Sequence, residues 1–145
     1  MKKLFLLCGL LLLCSGFKVR DGDSITQVIY RLAYIDAPEL HQTCHVGGQE
    51  IPIGENARIA LDKYMHDDLT VCKFREYDIH HTRPVVDCGF NLQMVRSGNA
   101  ICYDNYMTEA EQVACHDQQD KAKAENLGIW KCSDFVTPEN FRHHK

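Results

Sequence analysis

After its first sixteen residues the chain never stays apolar for long, and this limits what it can fold into. Short β-branched and aromatic runs alternate with stretches of helical spacing. "DSITQVIYRLAYI", "LTVCKFREY" and "RPVVDC" have the composition of strands. A tight turn near Thr26-Gln27 would fold the first into a short hairpin. Ala57, Ala60, Leu61, Tyr64 and Met65 fall on one face of a helix predicted over 55–65. "NLQMVRSG" predicts a short helix that Gly98 stops. Thr108 and Glu111 have the spacing of a capping box, which opens a third helix running to about Glu125, with Gly128 just beyond. "PELHQTCHVGGQEIPIG" reads as a long loop, "NAICYDNY" as extended or irregular, and the tail "WKCSDFVTPENFRHHK" as mostly coil. Short strands with interposed helices suggest a small β-barrel with helices packed outside it, in the α+β class. A length of 145 residues suits one domain with a single core.

The leader is a separate object. Lys2 and Lys3 precede an apolar run, and Cys14-Ser15-Gly16 supplies small residues for cleavage. Residues 1–16 are expected to be a signal peptide and residues 17–145 the domain, secreted or periplasmic. Cys14 also allows a lipid anchor, although Leu13 is larger than the small residue a lipoprotein box wants before its cysteine. The run is too short to span a bilayer, and no later segment is longer, so no stable membrane insertion is expected after signal removal.

The formal net charge is −4, and loss of Lys2 and Lys3 makes it more acidic. That argues against strong non-specific binding to nucleic acid, which depends on neutralising phosphates, but leaves room for a local cluster of arginines. Cys44, Cys72, Cys88, Cys102, Cys115 and Cys132 follow the leader. An even set in an exported chain suggests disulfides. One pair is assigned, Cys72 with Cys88, because both lie on segments read as neighbouring strands. Zinc is the competing use, but the chain has no C-x-x-C pair.

In "YRLAYIDAPELHQ", Arg31, Asp36 and Glu39 lie close together in sequence. Strand alternation puts Arg31, Ala33 and Ile35 on one side and Leu32, Tyr34 and Asp36 on the other. Arg31 must then reach past the strand end to meet Asp36. Pro38 turns the chain, leaving Glu39 on a loop held by a rigid strand, where catalytic groups are often found. In "VRDGDS", Gly22 lets the backbone turn, and Asp23 can approach Asp36 if their strands pair. Two carboxylates with carbonyl oxygens suit a hard divalent cation; the plainer reading is a turn acid and a strand-end acid facing water. Acids mixed with arginine suit phosphoryl transfer, in which guanidiniums stabilise phosphate charge and a carboxylate handles the attacking water. Arg83, opening "RPVV", is a second arginine; Arg58, Arg75, Arg96 and Arg142 are alternatives that spacing does not separate.

"DGDS", "YRLAYIDAPE", the arginine of "RPVV" and "GIWK", in that order, resemble the staphylococcal nuclease-like (thermonuclease) family from about Val19 to Arg142. "DAPELHQTC" and "MVRSGNAICYDNY" are most similar to its exported, cysteine-containing bacterial branch. The resemblance implies a five-stranded OB-type barrel with three helices packed outside it. It also implies a Ca²⁺-dependent phosphodiesterase that takes DNA and RNA as substrates, leaves 3′-phosphate ends and acts as a monomer. By position, Asp23 and Asp36 match the calcium carboxylates, and Ala37 matches a main-chain carbonyl ligand. Arg31 and Arg83 match the phosphate-holding arginines, and Glu39 matches the general base. Tyr103 and Tyr106 match tyrosines that line the nucleotide site. The family usually has Tyr-Gly before the second arginine, where this chain has His81-Thr82; His80 or His81 is thereby offered as a substrate contact. No cysteine stands near Ile53 to partner Cys44, which leaves Cys44 free or paired elsewhere. The same barrel also serves as a non-catalytic binder of oligonucleotides or proteins, which is the competing function.

Overall fold

The computed structural model describes residues 29–67 and 72–143. The leader, Asp23 and the hairpin placed near Thr26-Gln27 lie outside these residues. The α+β class holds. Strands β1 (Arg31–Leu32), β2 (Ile35–Asp36), β3 (Cys44–Val46) and β4 (Gln49–Ile51) lead into helix α1 (Ile53–Asp67). Then come β5 (Lys73–Asp78), β6 (Arg83–Asp87), α2 (Asn91–Arg96), β7 (Ile101–Cys102) and α3 (Glu109–Ala124). A 3₁₀ turn over Gly128–Lys131 and α4 (Pro138–His143) complete the order. The described residues thus hold four α-helices rather than the expected three. Their strands form three small sheets, β1-β6-β5, β2-β7 and β3-β4, and these do not close into a five-stranded barrel.

The segment predicted as one strand is broken in the middle. Tyr34 takes a φ of 69°, in the left-handed region. β1 runs parallel to β6, whereas β2 pairs antiparallel with β7. Backbone bonds carry each pairing into the break: Ala33 N–H donates to Val86 C=O at 2.8 Å, and Tyr103 N–H to Tyr34 C=O at 2.7 Å. One short segment therefore joins two sheets. Buried Asn91 holds the break by donating from Nδ2 to the Ala33 carbonyl at 3.0 Å. The Tyr34 hydroxyl donates to Glu111 Oε1 on α3 at 2.8 Å.

The expected loop after Glu39 contains a hairpin, β3-β4. Its turn is Gly47-Gly48, with φ of 58° and 83°, the backbone that a two-residue hairpin turn of the right twist requires. The helix predicted over 55–65 is extended at both ends as α1. A side chain at Gly54 would collide with the Glu39 carbonyl, so glycine lets the start of α1 press against the Glu39 loop. The Thr108–Glu111 capping box is present as expected.

Ile35, Ala57, Met94, Val95, Ala100 and Cys115 form the main core, which lies behind β2. A second cluster, Cys44, Ile53 and Ile129, is flanked by Trp130 and Phe135. The Cys72–Cys88 bridge forms as expected, but it is not alone. Cys44 pairs with Cys132, and Cys102 on β7 pairs with Cys115 on α3. Three bridges among the described residues fit an oxidising environment. No helix among them is long and apolar enough to cross a membrane.

Candidate active site

The break at Tyr34 builds the site. Continuous strand alternation would put Arg31 and Asp36 on opposite faces; the reversal turns them together. Arg31 Nη2 lies 3.4 Å from Asp36 Oδ1. Asp36 is buried, at 3% exposure. Arg31 also sits over the Tyr103 ring, 6.0 Å from its centroid.

Arg83 reaches the same region through the sheet. Arg31 on β1 pairs with Val85 on β6. Arg83 lies two residues before Val85 and hence on the same face. Arg83 Nε donates to Asp78 Oδ2 across the β5–β6 hairpin at 3.3 Å. Asp78 also accepts from the backbone N–H groups of His80 and His81, at 3.1 and 3.2 Å, and pairs with the His81 ring at 2.9 Å. Desolvation pushes the Asp78 pKa up, but the His81 ring and backbone donors and Arg83 outweigh it and hold it down at about 2. The loop that departs from Tyr-Gly at His81-Thr82 is therefore organised around Asp78, with Thr82 at a φ of 50°.

A cavity of about 700 Å³ opens over this face. Arg31, Glu39, Arg83, Tyr103 and Tyr106 all line it. Tyr106 is the most open, at 76% exposure. Asp36 lies beside a smaller neighbouring recess, next to Tyr103. Asp23 lies outside the described residues, so its approach to Asp36 has no structural description. No group of three or more potential metal-ligating side chains occurs among the described residues.

Sequence reasoning left two arginines of this cavity unresolved. Arg75 lines the wall, donates to Glu111 Oε1 at 2.7 Å, and stacks 4.6 Å from the Tyr34 ring centroid. Its partner Glu111 has a lowered pKa, first through the Thr108 backbone donor, with the Thr108 hydroxyl and Arg75 adding to it. Arg142 comes from the tail, which was expected to be mostly coil. Its Nη1 donates to Asp36 Oδ1 at 3.1 Å and to Glu39 Oε1 at 2.8 Å, and its Nη2 donates to Asp36 Oδ2 at 2.9 Å. The Asp36 hydrogen bond, reinforced by Glu39, raises the pKa of Arg142 and secures its charge. The signal for this helix was present in Thr137-Pro138-Glu139. Thr137 Oγ1 accepts from Asn140 N–H at 3.3 Å, and proline occupies the first helical position.

Two arginines on adjacent strands, a loop glutamate and a buried aspartate form a site suited to an anion, with acid–base capacity at one edge. Residues 29–132 match the staphylococcal nuclease homologue family, well over half of the chain, and the chain belongs to that family. No curated protein matches its sequence.

Proposed function

We propose that the chain is an exported, Ca²⁺-dependent phosphodiesterase that hydrolyses DNA and RNA to 3′-phosphate products. The observation that supports this most is the shared wall of one cavity by Arg31, Arg83 and Glu39. Arg31 and Arg83 would hold the phosphate oxygens, where charge grows as the phosphodiester is attacked. Glu39 would take a proton from water as its oxygen attacks phosphorus. The bond from phosphorus to the 5′ oxygen breaks, that oxygen takes up a proton from solvent, and the phosphate stays on the 3′ side. Tyr103 and Tyr106 offer ring faces to the bases.

The hard oxygens of Asp36, the Ala37 carbonyl and Asp23 suit a calcium ion, which would neutralise charge on a phosphate oxygen. Asp36 brings a buried carboxylate to this role. Arg142 already holds both of its oxygens. This reading carries with it the five-stranded OB-type barrel of the family. The three disulfides support export and the cysteine-containing branch, and a monomer is the simplest active form.

Digestion of single- and double-stranded DNA and of RNA, with Ca²⁺ or with excess chelator, tests this reading. Cleavage that stops in chelator is expected; unchanged digestion there removes the metal role. A catalytically inactive OB-type binding module is the second reading, favoured by the engagement of both Asp36 and Glu39 with Arg142. Saturable DNA binding without cleavage at any Ca²⁺ concentration would establish it.

A further inference from the structure

The family match ends at Cys132, and the chain beyond it runs back to the site along a series of fixed contacts. Cys132 is bonded to Cys44. Ser133 N–H donates to the His45 carbonyl at 2.9 Å. Asp134 accepts from both the His45 backbone N–H and its ring, each at 2.7 Å. Buried Gln42 donates to the Val136 carbonyl at 2.7 Å, while its Oε1 accepts from Glu39 N–H at 3.1 Å. The same glutamine thus ties the tail to the Glu39 loop. α4 then places Arg142 on Asp36 and Glu39.

We propose that Arg142 is an internal counter-ion that competes with the divalent cation for Asp36, so that residues 132–143 set the cation affinity of the site. This rests on the reading that places the cation at Asp36. The Arg142 guanidinium takes one lone-pair direction on each Asp36 oxygen and Arg31 approaches Oδ1 as well, so fewer directions stay open to a metal, and the positive charges repel a cation at short range. Cation binding is therefore favoured when Arg142 gives up Asp36. Apparent affinity rises with the fraction of molecules in the released state. The bond to Glu39 gives Arg142 a second anchor on the cavity wall when Asp36 is given up.

The test is calorimetric titration of Ca²⁺ into wild type, R142Q and R142K without nucleic acid. R142Q is expected to bind Ca²⁺ about tenfold more tightly or better, through loss of the competing charge. R142K, which keeps the charge but not the two-pronged pairing, should fall between. R142Q affinity within twofold of wild type, or no binding by any of the three at millimolar Ca²⁺, overturns the proposal. A measurement on wild type guards against misfolded variants: the Arg142 Nε–H resonance should move as Ca²⁺ is added, and a stationary resonance at saturation also overturns it. Tighter binding by R142Q in a protein that cleaves nothing would sink the nuclease reading and leave this proposal standing. Ca²⁺-dependent cleavage with equal affinities would do the reverse.

Discussion

Arg83 and Arg142 reach one cavity by opposite routes. Arg83 opens a strand, and its guanidinium is fixed by Asp78, only five positions away. Arg142 sits on a six-residue helix, and its partners Asp36 and Glu39 are more than a hundred positions away. The first placement needs only a hairpin. The second needs the disulfide, the His45–Asp134 pair and the Gln42 bonds to hold together. A local device tolerates change elsewhere in the fold, whereas a remote one inherits every weakness along its path.

The disulfides give the largest test of this contrast. Cys44–Cys132 closes a separation of 88 residues and anchors the tail; Cys102–Cys115 closes only 13. On chain entropy, the first contributes about 4 to 5 kcal/mol and the second about 3 kcal/mol. Replacing both cysteines of each pair with alanine and measuring urea unfolding should show the larger loss for Cys44–Cys132. Equal losses would mean that the tail contributes no more than its neighbours. Next in size, R31A or R83A should lower turnover about a hundredfold, about 2.7 kcal/mol of transition-state stabilisation. A loss below tenfold with folding intact would remove that arginine from the phosphate-holding role.

This contrast also explains what could be read from sequence. Arg31, Asp36 and Glu39 occur together in one stretch, and Arg83 opens a strand beside it, so local pattern and family resemblance reach them. Helix caps at Thr108 and Gly98 are local as well, and both are found. The break at Tyr34 was missed because a tyrosine at positive φ carries no compositional warning; the cause is tertiary, with Asn91 and Glu111 gripping either side. The Gly47-Gly48 hairpin reads as loop in sequence although its turn signal is present, because its strands have only three residues each. Cys44–Cys132 was hidden because pairing across such a span depends on a fold not yet known. Arg142 was hidden for the same reason.

A smaller effect separates holding Arg83 from merely having it. D78N keeps the size of the side chain but loses the charge that pairs with Arg83 and His81. Turnover should fall several-fold, less than in R83A, because the guanidinium remains but is less well oriented. Turnover equal to wild type would show that the strand alone positions Arg83. Asp78 also gives a pH signature at the acid end. Its pKa is depressed in the folded protein to about 2, so its contribution to stability is present above the unfolded value near 4 and is lost as pH falls through about 2. D78N should therefore flatten acid unfolding in that window.

The smallest effect belongs to the tail. The Asp134 hydrogen bond raises the His45 pKa above its ordinary 6.5, and the His45 backbone donor is the first cause lowering that of Asp134. For His45 the folded pKa exceeds the unfolded one. Its contribution is full below about pH 6.5 and disappears as pH rises through the folded value. For Asp134 the sign is reversed: its contribution is present above about pH 4 and lost below. The clasp is then strongest between these limits and weakens on the alkaline side, while the Asp78–Arg83 pair is unaffected there. NMR titration should give a His45 pKa above 6.5 in wild type and near 6.5 in D134N. The melting temperature of wild type should fall slightly more than that of D134N between pH 6 and 8. The shift should be small because both side chains are about half exposed to solvent, which screens the pair. If the two proteins titrate alike, the tail is held by its covalent and backbone contacts alone, and the contrast between the local and remote arginines no longer extends to pH.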